Sequence, residues 1–388
     1  MNKLVEIKDL LPALVELRRD FHRHPELGFK EHRTAARVAD ELRALGLEVT
    51  TGVGGTGVVG VLRNGSSDRA VGLRADMDAL PIVEATGLPY ASQTPGVFHG
   101  CGHDGHTTML LGTARHLART KRFDGTVIFI FQPAEEGLGG GKAMVEDGLF
   151  ERFPMNEVYA LHNWPDLPAG TAATMPGPFM AAADVLEISV KGKGGHAAMP
   201  HETPDAILAA SQLVAALHTL VSRRIHPADS AVLSISTISG GMTNNVLPGR
   251  VDLTGTVRTF DPAVQARIEQ SIRSVAAGIG IATETTIDVE YRRGYPPTVN
   301  DPTCAEWMLE AAGVAGLKAE LATKPSFGAE DFSYLLEHCP GAYLWLGQGR
   351  TDDEPPLHHA SYDFNDDVIG DGIAVFTKIV EGRLSASD

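Results

Sequence analysis

The chain has 388 residues, and this length favours two domains because single hydrophobic cores stop growing at roughly 250 to 300 residues. With 43% hydrophobic residues, the chain can bury a sizeable core. Its 49 Asp and Glu residues outnumber 33 Lys and Arg, and the formal net charge of -16 disfavours binding to nucleic acid and to anionic membranes. A small molecule is the expected binding partner. With three cysteines, no transmembrane-length apolar run and no signal peptide, we expect a cytoplasmic protein in which Cys101 is a free thiol.

The first part of the chain alternates predicted helices with predicted strands. Apolar residues at helical spacing predict a helix over 4–22, and helical patterns return at 33–45 and 106–120. Short apolar runs predict four buried strands, at Val58–Leu62, Ala70–Leu73, Thr126–Phe131 and Val158–Leu161. This alternation predicts an α/β domain in which helices flank a mixed sheet.

From about residue 184 the pattern changes to the order β-α-β-β-α-β. The predicted elements are Asp184–Val190, Pro204–Arg224, Ala231–Ile238, Arg250–Arg258, Pro262–Ile279 and Thr286–Tyr291. This order is that of a ferredoxin-like unit, which packs two helices on one face of a four-stranded sheet. A predicted helix at Pro302–Ala312 resumes the first pattern. We therefore predict one domain over 1–180 and 295–388, interrupted by an inserted domain over 181–294.

The segment Phe98–His106 predicts a metal site. It places a thiol at Cys101 and an imidazole at His103 between glycines, whose lack of a side chain lets neighbouring donors converge. Zinc, manganese, nickel and cobalt all accept imidazole, thiolate and carboxylate donors.

Four further segments carry metal-ligand or acid-base side chains after strand-like runs or in turns. They are Arg74–Asp78, Gln132–Glu136, Leu161–Asn163 and Leu357–His359. Each alone has an ordinary structural explanation, since a lone buried histidine such as His162 is more often a hydrogen-bonded core residue. In α/β sheets, however, ligands gather at the carboxyl ends of strands, so distant segments can meet there.

The adjacent carboxylates Glu135 and Glu136 are expected to have separate roles. Neighbouring residues in extended chain point to opposite sides, so one can ligate a metal while the other faces a substrate. A carboxylate beside a metal-activated water can take its proton and deliver it to a departing amine. The alternative is an exposed acidic pair at a strand end.

Three residues of the inserted domain are candidates for substrate contacts. His196 lies in a glycine-flanked turn, Asn245 follows a Gly-Gly pair, and Arg258 ends a predicted strand. The first two can donate to a developing oxyanion, and the planar fork of Arg258 matches a carboxylate. The alternative is that they are ordinary turn residues and a surface arginine.

Taken in order, these motifs resemble peptidase family M20, and within it the amidohydrolase branch that contains hippurate hydrolases, N-acyl-amino-acid deacylases and auxin-conjugate hydrolases. The matching motifs span essentially the whole chain: Asp20–Gly28, Gly72–Pro81, His99–His106, Gln132–Gly137, Gly195–His201, Ser326–Phe332 and His358.

The resemblance implies a catalytic domain that binds two divalent ions, Mn²⁺ or Zn²⁺, with Ni²⁺ and Co²⁺ as further candidates. The implied metal ligands are Cys101, His103, Glu136, His162 and His358. Other M20 branches have a histidine ligand where this chain has Asp76, and a bridging aspartate where it has Cys101. The soft thiolate favours zinc, although availability can still deliver manganese.

The resemblance also implies roles for the remaining candidates and for the inserted domain. Glu135 is the implied general base, and Asp78 orients or supports the metal cluster. The inserted domain is implied to be a lid through which subunits form a homodimer or a dimer-based oligomer. From this lid His196 reaches an active site, that of the partner subunit in related enzymes, and stabilises the tetrahedral intermediate, while Asn245 and Arg258 bind substrate.

The predicted activity is hydrolysis of the amide bond of N-acyl or N-aroyl amino acids, which releases a carboxylic acid and a free amino acid. A metallodipeptidase of the same family shares this chemistry and stays open. A noncatalytic metal-binding protein is expected to lack Glu135 or some ligands, yet all are present. Thiol catalysis by Cys101 with His103 is a further alternative, which chelator sensitivity separates from a metal mechanism.

Overall fold

The computed structural model describes residues 7–351 and 353–385, which form two compact units. The first unit contains the chain up to Phe179, Val299–Lys324 and the chain from Asp331 onward. The second contains Met180–Thr298 and Pro325–Glu330. None of the helices in these described residues is long and apolar enough to cross a membrane.

The described residues contain sixteen strands and eleven α-helices. The strands are β1 (Glu48–Val53), β2 (Gly57–Asn64), β3 (Ala70–Asp76), β4 (Gly125–Gln132), β5 (Glu157–Pro168), β6 (Thr171–Thr174), β7 (Gly177–Met180), β8 (Ala182–Lys191), β9 (Gly195–His196), β10 (Ala231–Ser239), β11 (Val246–Leu247), β12 (Arg250–Thr259), β13 (Thr286–Arg293), β14 (Thr298–Asn300), β15 (Lys318–Leu321) and β16 (Gly341–Gly349). The α-helices are α1 (Leu11–Arg23), α2 (His32–Ala44), α3 (His103–Thr120), α4 (Gly140–Glu146), α5 (Leu149–Arg152), α6 (Ala206–Leu217), α7 (Leu220–Arg224), α8 (Pro262–Thr283), α9 (Pro302–Ala315), α10 (Ser333–Leu336) and α11 (Ile369–Arg383).

The first unit is built on an eight-stranded sheet with the order β1-β2-β4-β3-β5-β16-β6-β15. The middle strands β4, β3, β5 and β16 are parallel to one another. At one side of this group, β2 pairs antiparallel with β4, and β1 pairs antiparallel with β2. The sheet is therefore mixed, and the predicted α/β class is confirmed. Strands β3 and β16 are buried along almost their whole length, as expected where helices cover both faces.

The second unit contains a four-stranded antiparallel sheet with the order β10-β12-β8-β13. Burial alternates along β8, so Leu186, Ile188 and Val190 point to one face and pack with side chains of the helices, such as Leu213 of α6 and Ile272 of α8. Apart from the short ladder of β9 and β11, the elements follow the order strand, helix, strand, strand, helix, strand.

The predicted helices differ from the observed ones in their bounds. The helix α2 is shifted by one residue, α8 ends at Thr283 instead of Ile279, and α9 ends at Ala315 instead of Ala312. Three others differ as follows. The helix predicted over 4–22 begins at Leu11, and its residues 4–6 lie outside the described residues. The helix predicted from 106 begins at His103, directly after Gly102 in the left-handed conformation. The helix predicted over 204–224 is two helices, α6 and α7, because side chains after Leu217 bond the carbonyls of the last turn, as when Thr219 Oγ1 donates to Ala216 O at 2.7 Å.

Candidate metal centre

The five candidate ligands come from four places along the large sheet. Cys101 lies just before α3 and His103 is its first residue, Glu136 follows β4, His162 lies within β5, and His358 lies in the loop after β16. The parallel strands bring these places to one edge of the sheet, where side chains distant in sequence can meet.

The ligand atoms of all five residues converge. Cys101 Sγ lies 3.4 Å from His162 Nε2 and 3.3 Å from His358 Nε2. The Oε1 atom of Glu136 lies 3.3 Å from His358 Nε2 and 4.0 Å from His103 Nε2. They form two groups that share the thiol, one with His103 and His162 and one with Glu136 and His358, and in each group the ligand atoms lie within 4.8 Å of one another.

The chemistry of these donors fits divalent metal ions. His103 Nε2 is buried without a hydrogen-bond partner among the described residues. His162 Nδ1 lies 2.7 Å from the carbonyl O of Asn163, which places its proton on Nδ1 and leaves Nε2 with a lone pair. Burial, and then His106, lower the pKa of His162, so its ring is neutral, as a metal ligand requires.

The Cys101 thiol is held in acidic surroundings. Burial raises its pKa well above the ordinary value, and the nearby carboxylates of Glu136 and Glu135 raise it further. A thiolate at this position therefore needs additional positive charge beside it, which a bound cation supplies. This environment is unlike that of a nucleophilic cysteine, whose pKa is lowered by its neighbours.

Asp78 lies behind the ligands and holds two of them. Its Oδ1 atom lies 3.1 Å from His103 Nδ1, and its Oδ2 atom accepts the backbone N–H of Glu136 at 2.9 Å. Burial alone would lower the pKa of His103, but the carboxylates of Asp76 and Asp78 raise it to about 10. A carboxylate behind a ligating imidazole orients the ring and increases its basicity.

Asp76 belongs to a buried network beneath the ligands. Its Oδ2 atom accepts from Arg74 Nη1 at 2.7 Å, and its Oδ1 atom lies 2.6 Å from His106 Nδ1. The other ring nitrogen of His106 lies 2.6 Å from Asn163 Oδ1. Burial would raise the pKa of Asp76, but His103, His106 and Arg74 hold it well below the ordinary value. The sequence places His106 and Asn163 in candidate segments but assigns neither an individual role, because their partnership depends on how α3 packs on β5.

The second carboxylate of the adjacent pair lies next to the ligands. Glu135 is 7% exposed, and one of its carboxylate oxygens lies within 4.8 Å of ligand atoms of His103 and Glu136. It is therefore close enough to the ligands to exchange protons with a molecule bound there.

The candidates of the second unit are more exposed. β9 pairs with β11, and the N–H of Ala197 donates to Asn245 O at 3.1 Å, which brings His196 and Asn245 side by side. His196 Nδ1 accepts the N–H of Ala198 at 3.0 Å, so a neutral ring carries its proton on Nε2 as a donor. Arg258 lies apart from them on β12, half-buried, where it donates to Val257 O at 3.1 Å.

The chain is similar in sequence to known proteins over nearly its whole length. The family model described as "Peptidase family M20/M25/M40" matches residues 72–382. The chain is 40% identical over 381 residues to "Hippurate hydrolase" of Campylobacter jejuni, covering 98% of each chain. It is 40% identical over 366 residues to "N-acetyl-L-cysteine deacetylase" of Bacillus subtilis, covering 94% of this chain and 86% of that one.

A solved structure is similar over nearly the full length. The crystal structure of the Bacillus subtilis YXEP protein, described as a dinuclear metal binding peptidase from the M20 family, superposes with a TM-score of 0.85 at 33% identity. The match covers 97% of this chain and 99% of that one.

Proposed function

This chain belongs to peptidase family M20/M25/M40, and from that premise we propose that it hydrolyses the amide bond of N-acyl or N-aroyl amino acids, releasing a carboxylic acid and a free amino acid. The observation that carries the proposal is the convergence of five metal-ligand side chains around Cys101, with the Glu135 carboxylate beside them. The names of the two relatives, a hippurate hydrolase and an N-acetyl-L-cysteine deacetylase, support N-acyl amino acids as the substrate class.

We propose that the cofactor is a pair of divalent ions, Mn²⁺ or Zn²⁺, with Ni²⁺ and Co²⁺ as further candidates. The proposed ligands are Cys101, His103, Glu136, His162 and His358. Two ligand groups that share one thiol support two ions. When bound, such ions polarise the substrate carbonyl and lower the pKa of water.

Glu135 is the proposed general base and acid. Its carboxylate takes a proton from the water that attacks the acyl carbon, and then delivers the proton to the departing amine nitrogen. Its burial beside His103 and Glu136 supports this role, because a carboxylate held at the reacting atoms needs no reorganisation during the step. Asp78 is the proposed orienting residue, since it holds the ring of His103 and the backbone of Glu136.

The inserted domain over 181–294 is proposed to be a ferredoxin-like lid on the catalytic domain over 1–180 and 295–388. The antiparallel sheet order β10-β12-β8-β13 supports the ferredoxin-like assignment. From this lid the Nε2–H of His196 donates to the oxyanion of the tetrahedral intermediate. Asn245 and Arg258 bind the carboxylate or carbonyl of the substrate, which suits their amide and guanidinium donors.

The same domain is proposed to join two subunits into a homodimer or a dimer-based oligomer. Exposed apolar side chains support this: Ile207 and Leu208 on α6 and Ile238 on β10 are each more than 40% exposed. Strand β10 is also an edge strand, with backbone groups open to pairing. In this assembly His196 serves the active site of the other subunit.

Aromatic side chains beside His162 support an apolar acyl group in the substrate. The ring of Trp164 lies 6.4 Å from that of His162 and stacks on Trp345 at 4.3 Å, and Phe179 packs on Trp345 at 4.1 Å. Phe179 and Trp345 are buried, so Trp164 is the partly exposed ring of this group, and an aromatic acyl group that stacks on it gains more buried area than acetyl does. We therefore propose that N-aroyl amino acids are better substrates than N-acetyl ones.

The proposed compartment is the cytoplasm. All three cysteines, Cys101, Cys304 and Cys339, are buried free thiols. Free thiols suit a reducing compartment.

The decisive experiment is hydrolysis of a small substrate panel by metal-stripped protein, with and without Mn²⁺ or Zn²⁺. The panel contains hippurate, N-acetylglycine and glycine dipeptides. We expect metal-dependent turnover with hippurate fastest, and a loss of about 10²- to 10⁴-fold in Glu135→Gln. The matched control is Glu146→Gln, an exposed carboxylate on α4 that pairs with Lys142.

Two results would contradict the proposal. Cleavage of dipeptides without turnover of any acyl amino acid would identify a metallodipeptidase. Turnover that survives a chelator and is lost in Cys101→Ser would identify thiol catalysis.

A further inference from the structure

The backbone directly before the proposed base is in the left-handed conformation. Ala134 has φ +53° and is fully buried, and the ligand His358 has φ +66°. Residues with a Cβ adopt this conformation rarely, and it persists only where surrounding structure holds it. The surrounding structure must therefore hold the backbone of Ala134 in this conformation. The conformation also sets the directions in which the side chains of Glu135 and Glu136 point.

A buried carboxylate from a distant part of the chain holds this backbone. Glu31, directly before α2, is fully buried, and its Oε1 atom accepts the N–H of Ala134 at 2.8 Å. Its other oxygen accepts the hydroxyl of Thr56. A buried carboxylate is costly unless its oxygens are hydrogen-bonded, and here both are.

The remaining contacts of Ala134 close the loop on its other sides. The carbonyl O of Ala134 accepts the N–H of Gly140 at 3.0 Å. A Cβ at Gly140 would lie 1.7 Å from Pro133 O, and a Cβ at Gly28 would lie 3.1 Å from Ala134 Cβ. The loop is thus packed against glycines, and Glu31 supplies the side-chain hydrogen bond to the backbone at its left-handed residue.

We propose that Glu31 is a positioning residue, which holds Ala134 in the left-handed conformation and so directs Glu135 towards the reacting atoms and Glu136 towards the metal ligands. This inference rests on the proposed roles of those two glutamates. Glu31 belongs to none of the groups of ligand atoms found among the described residues; its described contact with this loop is one hydrogen bond, to the N–H of Ala134.

The first test compares Glu31→Ala with Glu31→Gln. The amide oxygen of Gln still accepts the Ala134 N–H, and Thr56 Oγ1 can accept from the amide nitrogen, so Gln preserves the contact. We expect Glu31→Ala to lower kcat about 10- to 100-fold with KM changed less than about threefold, because small displacements of catalytic groups cost about this much. We expect it to weaken Co²⁺ binding about tenfold, measured by titration of the metal-stripped protein, and Gln to stay within about threefold on both readings.

Glu26→Ala is the matched control. Glu26 accepts the N–H groups of Arg33 at 3.0 Å and Thr34 at 2.8 Å, so it supports the same end of α2 through different contacts. We expect this variant to lower the melting temperature without changing kcat or Co²⁺ affinity. A purely structural role for Glu31 would instead give parallel effects in the two alanine variants.

The second test adds Ala134→Gly to Glu31→Ala. Glycine adopts positive φ without the cost of a Cβ, so the double variant should recover part of the lost kcat and Co²⁺ affinity. Should Glu31→Ala fail to fold, Thr56→Val removes the hydroxyl donor instead, and a smaller loss in the same direction is expected.

The proposal would be overturned by wild-type kcat and Co²⁺ affinity in Glu31→Ala, by a Gln variant as impaired as Ala, or by a double variant that recovers nothing. Co²⁺ titration needs no turnover, so it judges Glu31 even if no acyl amino acid is hydrolysed. A failure of the proposed function would appear in the substrate panel, whereas a failure of this inference would appear as unchanged Co²⁺ affinity.

Discussion

The two units hold their candidate residues in different ways. In the first unit, Cys101 and His103 are buried. Cys101 contacts the ring of His162, and His103 contacts the carboxylate of Asp78. In the second, His196 and Asn245 are exposed, and the described hydrogen bonds of their side chains are to residues two positions away, Ala198 and Thr243. Preorganised donors suit metal binding and proton transfer, whereas exposed donors suit contact with an arriving molecule. Substitutions in the two units should therefore separate metal binding from transition-state stabilisation.

Removing the shared thiol should have the largest effect on the first unit. Cys101 belongs to both ligand groups, so Cys101→Ala takes a donor from each. We expect loss of tight metal binding and a fall in kcat/KM of more than about 10³-fold, since the activated water depends on the ions. The measurements are metal content after dialysis and turnover of hippurate.

Cys304→Ala is the matched control for this prediction. Cys304 is also a buried free thiol, but it lies on α9 among core residues. The Cys304→Ala variant should therefore keep its full metal content. If Cys101→Ala also kept two ions and normal turnover, the thiol would not be a ligand, and the two groups would have to bind metal through their other donors.

Removing the exposed imidazole of the second unit should give a smaller loss of a different kind. We expect His196→Ala to lower kcat about 10²- to 10³-fold, as for loss of an oxyanion donor, with unchanged metal content. His218→Ala is the control, because His218 is exposed in the same unit and the described hydrogen bond of its ring is to Val214 O of the preceding helix. Loss of metal in His196→Ala would show that the second unit also contributes to metal binding, and the two roles would not be divided between the units.

The sequence predicts features that depend on local patterns better than it predicts contacts between residues far apart in the chain. The α/β class and most buried strands follow from apolar runs, and the ligand types follow from motifs at strand ends, because these signals are local. The position of Glu31 carries no such signal. Its partner is a backbone N–H 103 residues away, so no pattern of side chains announces it. The His106 and Asn163 pair joins two side chains 57 residues apart, and it depends on how α3 packs on β5, which no local pattern shows.

The smallest predicted effect concerns a buried carboxylate of the first unit outside the metal centre. Burial raises the pKa of Asp371, in the first turn of α11, to about 6. Because this folded-state pKa is above the unfolded value, the ionised group costs stability progressively as pH rises from 3.8 to about 6, and the cost is complete above that. The site carboxylate Asp76 shows the opposite shift because cationic partners surround it.

Asp371→Asn should therefore stabilise the protein at pH 8 by about 1 to 2 kcal/mol, after allowance for the partial exposure of the side chain. Asp367→Asn, another acidic residue near the start of the same helix, is the control and should change stability little. Melting temperatures at pH 8 and pH 4 provide the measurement, and the gain from Asp371→Asn should disappear at the lower pH because the wild-type carboxyl is then protonated. A gain of equal size at both values would mean that packing rather than charge distinguishes the two side chains, and the contrast with the paired carboxylates of the metal centre would not hold.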